Sequence, residues 1–134
     1  MHGGVKNGRS RMSNHKAIKQ NVRLRVWNKY NHRCAYCGCP LEYKDMQVDH
    51  LKSVYVNTNL KHKMTDAEMY DISNLMPACR QCNFYKDTLT LEEFRTRLKD
   101  TMWKNLRKEC SYKLAVKYGI IVENDIPIKF YFEN

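Results

Sequence analysis

Ile18, Val22, Val26 and Tyr30 recur every four residues, and Ala17, Leu24 and Trp27 widen the stripe. Apolar side chains at that spacing share one face of a helix, so a helix is predicted over about residues 18–30. Lys19, Arg23, Lys29 and Arg33 lie off the row and are expected to face solvent or phosphate. Asn31 and His32 end the pattern. The chain then changes period. Cys37-Gly38 marks a turn and Pro40 argues against helix. Met46, Val48 and His50 alternate, which predicts a strand within Tyr43–Leu51. Thr65 with Glu68 fits a capping box for a short helix to about Tyr70. Asn74–Pro77 reads as a loop, and a short helix is expected from Cys79 or Arg80 to Lys86. Thr90 with Glu93 makes a second capping box. Leu91, Phe94, Leu98, Met102, Leu106 and Cys110 follow at spacings of three or four. This predicts one long amphipathic helix with Cys110 as a buried thiol. A further helix is predicted over Tyr112–Tyr118, closed by Gly119 as a left-handed cap. Ile126–Glu133 reads as strand or extended chain. There is no internal repeat.

Charge divides the chain more sharply than hydropathy does. The 134 residues carry 24 Lys and Arg against 14 Asp and Glu, 24 − 14 = +10. Nine of those cations fall in residues 1–33, which hold no acid, while the remaining fifteen nearly cancel the fourteen acids. Such a block suits a polyanion, or else a solvated arm that only aids solubility. Residues 1–15, rich in Gly, Ser, Asn and basic residues, read as a flexible arm. The length is that of one domain. No apolar run approaches the ~18–20 residues of a membrane span, and the basic N-terminus lacks the apolar stretch of a secretory signal. A cytoplasmic setting follows as the expectation, and six cysteines then point to metal ligation rather than disulfides.

Cys34-Ala-Tyr-Cys37 and Cys79-Arg-Gln-Cys82 are two CxxC knuckles with 41 residues between them. Both sulfurs of such a knuckle reach one ion, and four thiolates make a closed structural Zn²⁺ site with no open position for chemistry. A redox pair would explain one knuckle but not the second. Zinc here clips residue 34 to residue 82. Cys39 reads as a bystander beside it.

Inside and beside the clip lie Asp49-His50, Asn74, Asn83 and Lys86. This order of residues, with the two knuckles, resembles the zinc-containing HNH endonucleases over residues 34–86. The resemblance implies an α+β fold: a ββα-metal, or His-Me, finger, here preceded by an amphipathic helix and followed by a long one. It implies His50 as general base, Asp49 and Asn83 as ligands of a catalytic ion, and Asn74 as the residue that holds the catalytic loop. It also implies 5′-phosphate and 3′-hydroxyl products. The chemistry agrees. A histidine with an ordinary pKa of about 6.5 can take a proton from water near neutrality. Asp49 and Asn83 offer only oxygen, which favours Mg²⁺ or Mn²⁺. Neighbouring strand residues point to opposite faces, so Asp49 and His50 need a twist or bulge to share one ion. The 23 residues between His50 and Asn74 form a longer loop than compact members have, with Lys52, Lys61, His62 and Lys63. It is either a DNA-contacting insertion or a passive surface.

The sequence therefore predicts a metal-dependent endonuclease acting on DNA, expected to be double-stranded, with no membrane partner and no small-molecule substrate. Lys86, Arg80, Lys19, Arg23 and Lys52 are the candidate phosphate contacts, Arg80 being nearly as well explained as a solvent-facing cation. The expected organisation is a basic arm (1–15), a nuclease domain (16–110, motif core 34–86) and a C-terminal extension (111–134). A zinc-stabilised nucleic-acid-binding module without catalysis is the alternative. A zinc ribbon that binds proteins ranks last because it leaves the N-terminal charge unexplained.

Overall fold

Helix α1 (Gln20–Asn28) realises the first apolar stripe, with Val26 fully buried and Leu24 left half exposed. The structure, a computed structural model, describes residues 17–53 and 64–134. The basic arm and the loop cations Lys61, His62 and Lys63 lie outside the described residues. The helix stops where Asn31 and His32 both take left-handed backbone, φ 59° and 60°. The His32 ring stacks on Trp27 at 3.5 Å and hydrogen-bonds Asn28 Oδ1 at 2.8 Å, which holds this otherwise unfavourable turn.

The predicted strand is real but short. Strand β1 (Gln47–His50) follows a 3₁₀ turn at Tyr43–Asp45. Arg23 explains the shortening: its guanidinium donates to the carbonyls of Tyr43 and Met46, both at 2.8 Å, and lies 4.9 Å over the Tyr43 ring. Strand β2 (Leu75–Ala78) replaces most of the expected Asn74–Pro77 loop. It pairs antiparallel with β1 in the register Gln47↔Ala78, Val48↔Pro77, Asp49↔Met76, His50↔Leu75. Pro77 is tolerated because both strands of a two-stranded sheet are edges, so its missing N–H breaks no inner ladder. All four β2 residues are buried.

Both capping boxes form. Thr65 N–H donates to Glu68 Oε1 at 2.7 Å, opening α2 (Asp66–Met69), and Thr90 N–H donates to Glu93 Oε1 at 2.9 Å, opening α4 (Leu91–Thr96). Between them α3 (Arg80–Lys86) packs against β1. The long helix differs from its prediction. A π-helical stretch, Arg97–Met102, joins α4 to α5 (Trp103–Lys108), and Glu109 then takes extended backbone before α6 (Cys110–Lys117). A wider turn slips the helical phase, and Glu109 sets α6 on a new course. The predicted stripe therefore leaves the core: Leu106 is partly exposed, and Cys110 is exposed rather than a core thiol. Gly119 closes α6 at φ +76°, as its role as a left-handed cap requires.

The C-terminal segment is extended, has no ladder partner among the described residues, and returns to the first knuckle. Tyr131 N–H donates to the Tyr36 carbonyl at 3.0 Å and Phe132 N–H to the Ala35 carbonyl at 2.9 Å. Phe94 and Phe130 stack at 5.2 Å, and both meet Tyr36 edge-on at 5.6 Å. Arg95 ties the segment down through the Ile128 carbonyl at 2.6 Å and Glu133 Oε1 at 3.0 Å. Phe130 is thus part of the core, with Ile128 and Phe132 packed against it, while Lys129 and Glu133 stay exposed. Gly38 sits beneath them with φ +79°, and a Cβ there would stand 3.0 Å from Tyr131 Cδ1. Gly38→Ala should lower stability by about 1–3 kcal/mol, the usual cost of a strained backbone position. The check is a fall in the urea midpoint at unchanged slope.

Candidate active site

The four knuckle sulfurs meet at the hinge between the first turn and α3. Cys79 is the N-cap of α3, and its Sγ accepts from Cys82 N–H at 3.4 Å; Cys34 Sγ accepts likewise from Cys37 N–H at 3.5 Å. All four sulfurs lie within 4.8 Å of one another, with Cys37 and Cys79 3.8 Å apart. A tetrahedron with Zn–S of about 2.3 Å has edges of about 3.8 Å, so the quartet is the right size for that ion. Among the described residues this is the cluster of metal-ligating side chains, and Cys39 stays outside it. The hydrogen bond from Cys82 holds the Cys34 thiol far below its ordinary range, at about 4, and raises Cys82. Burial pushes the Cys39 thiol up to about 12.

Asp49 and His50 are the last residues of β1 and are only 6 % and 5 % exposed. The ladder runs through both without a bulge, and their side chains meet different neighbours. Asp49 Oδ2 accepts from the Tyr36 hydroxyl and pairs with Lys86 Nζ at 3.0 Å. The His50 ring meets Tyr70 edge-on at 5.0 Å. Burial raises the Asp49 carboxyl above its ordinary value, and Lys86, Tyr36 and the His50 backbone N–H only partly oppose it.

Asn74 fixes the chain that leaves β1. Its Oδ1 accepts from Lys52 N–H at 2.8 Å, its Nδ2 donates to the Lys52 carbonyl at 3.1 Å and the Met69 carbonyl at 2.9 Å, and its own carbonyl accepts from Leu51 N–H at 2.8 Å. One amide therefore pins the turn after His50 to the end of α2. Asn83 sits half-buried on α3, one turn before Lys86.

Two of the five expected phosphate contacts point inward. Lys86 is fully buried, and besides Asp49 it donates to the His50 carbonyl at 3.0 Å. Arg23 is occupied by the Tyr43 and Met46 carbonyls. Lys29, also expected outside, donates to the carbonyls of Ile72 and Leu75, both at 2.7 Å, and burial lowers its ammonium. Each of these cations answers backbone carbonyls or a buried acid far along the chain, which no local pattern announces. Lys19, Lys52 and Arg80 are exposed.

The HNH endonuclease family model matches residues 34–87, the span from the first knuckle to the end of α3. Residues 34–87 belong to the HNH endonuclease family. The chain is 33 % identical over 98 residues to YoqL, an SPbeta prophage-derived protein of Bacillus subtilis (strain 168) named for an HNH endonuclease. The match covers 67 % of this chain but 39 % of YoqL, so the chain spans well under half the length of that relative. Among solved structures it is similar to the Type II-C Cas9 enzyme from Actinomyces naeslundii, at 20 % identity and a TM-score of 0.46, over 70 % of this chain and 10 % of that one. β1, β2 and α3 form the ββα unit of the HNH segment. No helix among the described residues is long and apolar enough to cross a membrane.

Tyr36 is a site residue that sequence reasoning missed. A tyrosine inside a knuckle carries one signal: buried with its ring in the core, its hydroxyl needs a partner. That partner is Asp49.

Proposed function

We propose that the chain is a divalent-metal-dependent nuclease that hydrolyses phosphodiester bonds of DNA, with His50 as general base. Asp49 and Asn83 hold the catalytic ion, Mg²⁺ or Mn²⁺, and the four cysteines hold Zn²⁺. The observation that carries the reading is the junction at the end of β1. Lys86 ties both Asp49 and His50 to α3, while Asn74 pins the turn after them. A hard ion fits an all-oxygen donor pair of one carboxylate and one amide. When bound, it supplies charge neutralisation at the phosphate and the departing 3′ oxygen.

In-line displacement puts the attacking water and the leaving oxygen on opposite sides of phosphorus. His50 takes the proton from the attacking water, and Asn74 keeps its strand end in place. Exposed Arg80, Lys52 and Lys19 supply backbone contacts, together with the acid-free N-terminal charge.

The test is cleavage of supercoiled plasmid, with labelled single- and double-stranded DNA and RNA alongside. Each is incubated with Mg²⁺ or Mn²⁺, and with no added ion as control on the zinc-loaded protein. Nicking of DNA that requires an added divalent ion is the expected result. Salt-sensitive binding with no cleavage in either ion would overturn it and leave a non-catalytic nucleic-acid-binding module.

A further inference from the structure

Asp49 Oδ2 receives two donors, one from inside the first cysteine knuckle and one from the helix that carries the second. Tyr36 lies between Cys34 and Cys37. Lys86 ends α3, the helix that Cys79 caps and on which Cys82 sits. Tyr36 is 2 % exposed and Lys86 fully buried. Burying an ammonium is costly, and a well-packed apolar side chain of similar volume often serves stability as well or better. Stability is therefore a weak reason for Lys86. What it does in the structure is hold two consecutive residues, the Asp49 carboxylate and the His50 carbonyl, in one orientation. Tyr36 fixes the same carboxylate oxygen from the first knuckle.

We propose that Tyr36 and Lys86 are positioning residues that make Asp49 a one-oxygen ligand, so that the paired knuckles set which divalent ion the site accepts. With Oδ2 held by two donors, Oδ1 is the oxygen presented to the ion. A small octahedral ion such as Mg²⁺ takes one oxygen from a carboxylate readily. Ca²⁺, with six to eight ligands at longer distances, gains from carboxylates that offer both oxygens. Holding Oδ2 therefore discriminates against Ca²⁺. This rests on the assignment of Asp49 as an ion ligand.

The experiment measures Mn²⁺ binding to the zinc-loaded full chain by electron paramagnetic resonance of free Mn²⁺, with Ca²⁺ as competitor. The proteins are wild type, Tyr36→Phe, Lys86→Met and Asp49→Ala. Zinc content and melting temperature establish that each is folded. Tyr36→Phe removes one donor without changing charge. It should weaken Mn²⁺ binding about tenfold, the low end of the range for lost ligand-orienting partners. It should also narrow the preference for Mn²⁺ over Ca²⁺, which a purely structural role would leave alone. Lys86→Met removes a positive charge as well, so the narrowed preference rather than absolute affinity is its readout. If Asp49→Ala abolishes Mn²⁺ binding while Tyr36→Phe and Lys86→Met keep the wild-type preference, the positioning role is overturned and the ligand survives. If Asp49→Ala binds Mn²⁺ like wild type, the ligand assignment and the positioning role fall together.

Discussion

Cys34→Ser, or removal of zinc from the wild-type protein with a strong chelator, should abolish the cooperative fold. Structural zinc contributes about 10–16 kcal/mol of apparent binding free energy at neutral pH in small zinc domains. A whole domain is stable by only about 5–15 kcal/mol. The knuckle at Cys34 is also where three distant pieces of chain meet. Ala35 N–H donates to the Pro77 carbonyl of β2 at 2.8 Å, and Tyr131 and Phe132 bond back to Tyr36 and Ala35. Losing the metal releases the first turn from α3 and removes the base on which these contacts rest. Far-ultraviolet circular dichroism with metal analysis provides the check. Native signal should disappear with chelation and return on adding one equivalent of Zn²⁺. A chelated protein that still melts cooperatively at the wild-type temperature would show the quartet to be dispensable.

His50→Ala should lower the turnover rate by about 10²–10⁴, the usual contribution of a positioned general base. Zinc content and DNA affinity should stay near wild type, because the ring packs against Tyr70 and is no part of the cysteine cluster. Single-turnover cleavage with saturating enzyme separates the chemical loss from binding. Full activity in this variant would place the base elsewhere. His32 is a poor replacement, being stacked on Trp27 and bonded to Asn28.

Features governed by a few neighbouring residues were legible in the sequence. Both capping boxes, the Gly119 cap and the two knuckles depend on chemistry within four positions, and the structure reproduces each. The second strand was hidden because Pro77 is a loop signal unless the sheet has only two strands. The break at Glu109 was hidden because the apolar spacing continues across it; the π-helical slip that spoils the phase has no local marker. Cations were the hardest to place. Arg23, Lys29 and Lys86 look alike in sequence to the exposed Lys19, yet each is buried or half-buried by partners 20 to 46 positions away. For the candidate site, residue types and order were visible. The connection of Asp49 to both knuckles was not, since it depends on which way Tyr36 and Lys86 turn after folding.

The bonds from Tyr131 and Phe132 to the first knuckle also order events during synthesis. Residues 34–87 leave the ribosome well before residue 132, so the HNH segment emerges without the strip of chain that later covers Tyr36. Pairing so distant in sequence forms late, because the loop between the partners must be closed first. Until residues 130–132 emerge the knuckle stays half-dressed, and the core seals only when those aromatic residues are free to fold back.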